Sequence, residues 1–223
     1  MTPLCVVFDI DDTLYLERDY VFSGFAALGP WARRWLGIPD FADRCGSAHR
    51  SGTRGSVFNK VLEECGVAVC PEIVSALVSL YRAHTPDIRL CGDALDAISQ
   101  AASRWPVAVI TDGPAISQSR KAEALGLDRF ASPILLTELH GRECSKPSPV
   151  VFRKVEQTIP AKRFVYVADN PAKDFTAPRL LGWHSIRIRR TEGLHFALDN
   201  PDIVPDAELP DCAPLLRLLL DLV

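Results

Sequence analysis

The chain has 223 residues, 28 acidic against 25 basic for a formal charge of −3, and is 48% hydrophobic, 24% charged and 8% aromatic. That length holds one large domain, or a domain with an insertion, and the composition supports a buried core, which excludes wholesale disorder. The lack of basic excess argues against a nucleic-acid partner, whose phosphates call for a cationic face.

Residues 4–8, Leu-Cys-Val-Val-Phe, form a short apolar run that meets acid at Asp9. Such a run predicts a strand buried on both faces of a parallel sheet, and it is too short and too acidic to be a signal peptide. The expectation is a cytoplasmic protein.

From 16 to 84 the apolar residues recur at helical spacing with no strand-like run between them. Gly37-Ile38-Pro39, Ser51-Gly52-Thr53 and Cys70-Pro71 divide the stretch into about four helices, and Thr85-Pro86 marks the return to the sheet. This predicts a helical module inserted into a core formed by 1–15 and 85–223.

Beyond it, apolar runs at 106–111, 133–136, 164–168 and 185–188 predict further strands. Amphipathic patterns at 94–103, 117–125, 150–157 and 172–181 predict helices among them. Strands alternating with helices define an α/β fold with a doubly wound parallel sheet. Residues 194–214, rich in Asp and Pro, read as an irregular tail. Residues 215–223 read as a closing amphipathic helix, since Arg217 and Asp221 interrupt a run far short of the roughly 20 residues of a membrane span. The seven cysteines are odd in number and contain no C-x-x-C pair, so reduced, mostly buried thiols are expected.

Four segments carry chemistry. Asp9, Asp11 and Asp12 follow the first strand, at the sheet edge where ligands of such folds bind. If the extended backbone persists past Asp9, the Asp9 and Asp11 side chains share one side. Two carboxylates in one small site require a hard cation such as Mg²⁺ or an acid–base task. Thr111-Asp112-Gly113 ends a second strand at the same edge, where a hydroxyl and backbone N–H groups suit an anion. Lys146 is set between Ser145 and Pro147, a stiff placement for an ammonium that can screen carboxylates and bind a phosphoryl oxygen. Asp169 ends another strand, and Asp174 follows at the start of a helix, where an acid also complements the helix dipole.

Together these segments resemble the haloacid dehalogenase superfamily. Asp9 to Thr13 fit its D-x-D-x-T signature, Thr111 its strand-end hydroxyl, Lys146 its lysine, and Asp169 with Asp174 its closing acids, while 16–84 corresponds to a helical cap of the C1 type. Ala168 departs from the glycine found there in many members. The dehalogenases that name the superfamily lack an acid at the place of Asp11, so the resemblance is to a phosphatase-type member.

The resemblance implies a Mg²⁺-dependent phosphatase in which Asp9 attacks phosphorus and Asp11 serves as acid and then base. The cation would be held by Asp9, the Asp11 carbonyl, Asp169 and Asp174, the last directly or through water. Thr111, Asp112, Gly113 and Lys146 would bind the phosphoryl group. The implied substrate is a small phosphorylated metabolite, with no nucleic-acid or membrane partner. In the cap, Arg50 and Arg54, near His49 and Lys60, are candidates to meet the leaving group, although cationic runs on helices are usually solvated. His84, His140, His184 and His195 lack metal-ligand spacing. The alternatives are a sugar-phosphate mutase of the same superfamily and a non-catalytic phospho-receiver-like signalling protein. A receiver needs neither the Asp9/Asp11 pair nor the cap.

Overall fold

A computed structural model describes residues 2–223. The chain divides into two compact units, Met1–Glu17 with Arg89–Val223, and Arg18–Ile88. Among the described residues no helix is long and apolar enough to cross a membrane.

The larger unit is built on β1 (Thr2–Phe8), β2 (Val107–Thr111), β3 (Ile134–Leu136), β4 (Ala161–Ala168), β5 (His184–Ile188) and β6 (Ala207–Leu209). All five strand pairings are parallel, in the order β3-β2-β1-β4-β5-β6. The chain winds from β1 towards one edge, then returns to β4 and winds towards the other. The switch therefore falls between β1 and β4, where such sheets open a crevice at their carboxyl ends. Val6 pairs with Val107 on one side and with Val165 on the other, which aligns the ends of β1, β2 and β4.

The central strands are apolar because both of their faces are covered: Leu4 to Phe8 and Val107 to Ile110 are buried throughout. Phe152 packs edge-on to Tyr166, with centroids 4.9 Å apart, and Trp183 stacks on Phe164 at 4.7 Å while its indole N–H donates to Glu156. The helices of this unit are α5 (Gly92–Ala102), α6 (Ala115–Ala124), α7 (Val150–Thr158), α8 (Thr176–Leu181) and α9 (Leu215–Asp221).

The smaller unit carries α1 (Glu17–Leu36), whose first residue lies in the larger unit, with α2 (Phe41–Arg50), α3 (Val57–Glu64) and α4 (Pro71–Ala83). Pro71 opens α4 where a missing N–H costs nothing. The core of this unit is aromatic and aliphatic: Phe25, Leu28, Phe41, Leu62 and Leu77 are buried together.

Three expectations need correction. The segment 194–214 is not wholly irregular, because it supplies β6 at the sheet edge. The predicted helix 172–181 begins only at Thr176. Its first residues form a turn in which the Asn170 side chain accepts the Ala172 N–H and the Asn170 carbonyl accepts that of Asp174. β3 is an edge strand with half-buried residues rather than one enclosed on both faces. All seven cysteines are free thiols and four of them are buried.

Candidate active site

β1 delivers Asp9 to the switch point: its N–H donates to the Val167 carbonyl of β4 at 2.9 Å, one step beyond the last strand residue. There the extended backbone stops. The N–H groups of Thr13 and Leu14 return to the Ile10 carbonyl, and Asp12 takes a left-handed conformation with φ of 51°. The Asp12 carboxylate accepts the N–H groups of Glu17 and Leu194, which fixes the turn. The strand itself ends at Phe8, and the Asp9 and Asp11 carboxylates hydrogen-bond to different partners.

Asp9 joins Asp169 and Asp174. Carboxylate oxygens from these three buried residues lie within 4.8 Å of one another. Lys146 is buried against them, with Nζ at 2.8 Å from Asp9 Oδ1, 2.7 Å from Asp174 Oδ1 and 3.0 Å from the Tyr166 hydroxyl, so each ammonium proton has an acceptor. Asp174 Oδ2 accepts the Asn170 N–H at 2.9 Å. Burial pushes the Asp9 carboxyl up to about 6, with Lys146 opposing the rise and Asp174 adding to it. Burial, then the charges of Asp174 and Asp9, raises Asp169 well above the carboxylate range. Burial disfavours the Lys146 charge, but Asp174 and Asp9 outweigh it and hold the ammonium protonated.

Fully ionised, the three buried carboxyls would outnumber the Lys146 ammonium by two, and that shortfall adds to burial in raising Asp9 and Asp169. Hard oxygen donors with that charge deficit fit a small divalent cation such as Mg²⁺. The Asp11 carboxylate is not part of this cluster.

Asp11 is held from the other side. Its Oδ1 accepts from Lys121 Nζ at 2.6 Å and from the Tyr15 hydroxyl at 2.5 Å, and its Oδ2 accepts from Gln118 Nε2 at 3.0 Å. Burial acts to raise this carboxyl, but Lys121, Tyr15 and Gln118 together bring it below its ordinary value.

Thr111 is buried at the end of β2 and donates its hydroxyl proton to Gln118 Oε1 at 3.0 Å. Asp112 faces neighbouring loops: its carboxylate accepts from the Thr137 hydroxyl, the Lys146 N–H and Lys173 Nζ, which ties the loop bearing Lys146 to the end of β2. Gly113 has φ of 129°, a conformation that side chains rarely adopt.

Arg50 and Arg54 belong to the smaller unit. There Arg50 lies over the Phe22 ring and Arg54 donates to the carbonyls of His49 and Thr53. Tyr15, Gln118, Lys121 and Tyr166 were not singled out by the sequence. The available signal was on α6, where Gln118 and Lys121 share the stripe of Ala122 and Leu125, polar residues on the face that packs inward.

Residues 4–182 match the model of the haloacid dehalogenase-like hydrolase family, and the chain belongs to that family. It is 25% identical over 233 aligned positions, covering 97% of both chains, to a glyceraldehyde 3-phosphate phosphatase from Methanopyrus kandleri. Among solved structures, a HAD-type hydrolase from Bacillus subtilis bound to magnesium aligns over 98% of this chain and 99% of its own, with a TM-score of 0.70 at 20% identity. The L-2-haloacid dehalogenase from Xanthobacter autotrophicus aligns over the full length of both chains, with a TM-score of 0.64 at 15% identity. The shared fold thus spans different chemistries, and the side chains at the sheet edge must distinguish them.

Proposed function

We propose that the protein is a Mg²⁺-dependent phosphatase that hydrolyses a small phosphorylated metabolite through an aspartyl-phosphate on Asp9. The observation that carries this reading is Asp11. A halide leaves carbon without needing a proton, whereas an alkoxide leaving phosphorus needs one, and a second carboxylate beside the nucleophile meets that additional need.

Asp9, Asp169 and Asp174 would hold the cation, with the Asp11 carbonyl as the fourth protein donor. Once bound, it would supply charge neutralisation between the nucleophile and the phosphoryl oxygens. Asp9 attacks phosphorus, the bond to the ester oxygen breaks, and the leaving alkoxide takes a proton through Asp11. The low pKa of Asp11 favours its carboxylate at rest. A monoester monoanion, with a second pKa of about 6, can bring the proton that Asp11 relays. In the second half, Asp11 takes a proton from the water that attacks the phosphorus of the aspartyl-phosphate, Asp9 leaves as carboxylate, and Asp11 passes that proton to the departing phosphate to regain its resting state. Lys146 would hold Asp9 and balance charge on the transferring group, and Thr111 with the Asp112 and Gly113 backbone would bind the phosphoryl oxygens.

The name of the Methanopyrus relative supports a short phosphorylated sugar or aldehyde as the substrate class. The cap unit, with Arg50 and Arg54, is the proposed source of leaving-group selectivity. The test is phosphate release from a panel of sugar phosphates, triose phosphates, nucleotides and phosphorylated acids, with Mg²⁺ and with EDTA. Release that requires Mg²⁺ supports the reading. Isomer formation without net phosphate release would establish a mutase instead, and an aspartyl-phosphate stable for minutes a receiver.

A further inference from the structure

We infer that Gln118 and Lys121 are positioning residues, which aim the Asp11 carboxylate at the leaving oxygen. The inference rests on the phosphatase reading. The two residues lie three apart on α6, on one face and both buried. Between them they engage both oxygens of Asp11: Lys121 Nζ is 2.6 Å from Oδ1 and Gln118 Nε2 is 3.0 Å from Oδ2. A carboxylate pinned at one oxygen can still rotate about its bond to the chain, whereas one pinned at both has its plane fixed. The Lys121 side chain is 4% exposed while that of Asp11 is 20% exposed, so the clamp is buried and its cargo retains an accessible edge.

Chemistry also sets the direction of the Gln118 amide. An ionised carboxylate only accepts, so Gln118 must present its NH₂ to Asp11, which leaves Oε1 to receive the Thr111 proton at 3.0 Å. Thr111 at the end of β2 thereby anchors Gln118, and the chain Thr111–Gln118–Asp11 links two strand ends through one helix. Tyr15 completes the clamp at Oδ1.

A misaimed proton shuttle harms esters of poor leaving groups most, because a nitrophenolate departs without a proton and an alkoxide does not. The experiment compares kcat/KM for 4-nitrophenyl phosphate with that for an alkyl phosphate the wild type accepts, in wild type, Lys121→Met and Gln118→Ala, with Mg²⁺ present and melting curves recorded. The second variant keeps the Asp11–Lys121 pair, so it serves if Lys121→Met does not fold. The expected result is a loss at least about tenfold larger on the alkyl ester than on the nitrophenyl ester in the folded variants, a part of the roughly 100- to 10,000-fold that a general acid contributes. Equal losses on both esters, or no loss, would overturn the positioning role. A wild type that releases phosphate from neither ester would instead overturn the phosphatase reading itself, and this inference with it.

Discussion

The Lys146 ammonium lies 2.8 Å from Asp9 Oδ1 although 137 residues separate them in the chain, and it lies 2.7 Å from Asp174 Oδ1 as well. This ammonium is buried against two acids of the cluster, so its removal leaves both without the cation they contact. Breaking a buried pair by deleting one partner costs about 3–5 kcal/mol. Lys146→Met is expected to lower the stability of the metal-free protein by several kcal/mol at pH 7.5, read from urea denaturation in EDTA, and to lose turnover as well. An unchanged unfolding midpoint would mean that the lysine is not the counter-ion of the cluster.

Asp11→Asn keeps the size of the side chain and removes its proton affinity. Turnover of an alkyl phosphate is expected to fall about 100- to 10,000-fold, the usual contribution of a general acid or base. Steady-state kinetics check this, and a variant within a few-fold of wild type would remove Asp11 from the chemistry.

The pKa of Asp9, raised to about 6 by burial, has a sign that can be read in stability. An aspartate in the unfolded chain titrates near about 3.9. The folded metal-free protein therefore holds this proton more tightly than the unfolded chain does, and its stability falls as pH rises from about 4 through 6. Asp169 is shifted in the same direction. Mg²⁺ competes with those protons, so the rise in Tm on adding Mg²⁺ is expected to be larger at pH 7.5 than at pH 5. Thermal melts with Mg²⁺ and with EDTA at the two pH values decide the point, and a larger rise at pH 5 would contradict it.

Gly24 lies in α1 where an added Cβ would clash with the Tyr81 ring. Alanine would favour the helix by about 1 kcal/mol. Overpacking at such a contact costs about 1–3 kcal/mol, and the ring is hemmed in by Phe25 and Phe58, so the clash dominates. Gly24→Ala is expected to destabilise the smaller unit, as measured by faster amide hydrogen exchange in α1 and α4. Unchanged exchange there would show that Tyr81 can swing aside.

Much of this arrangement is legible before folding is known. Asp9 and Asp169 end apolar runs, and a parallel sheet must bring such ends to one edge, so their convergence follows from strand patterning. Lys146 is legible only through its match to the superfamily's lysine, since a lysine beside a proline in a loop reads by itself as a surface residue. Gln118 and Lys121 are not legible, because polar residues three apart on a helix ordinarily face water, and only the packing of the turn after β1 against α6 makes that face interior. β6 was missed because three residues, none of them fully buried, give no period to read. The partners of Asp9 and Asp11 are set by tertiary packing, since Lys146, Lys121 and Gln118 all lie more than 100 residues further along the chain.

The central claim is that Asp9 carries the phosphoryl group, and the most direct measurement is mass spectrometry of enzyme quenched in acid during turnover with Mg²⁺. The account predicts a phosphoryl adduct on the peptide containing Asp9, absent from Asp9→Asn. Phosphate release from the wild type with no adduct at Asp9, or with the adduct on another residue, would contradict it.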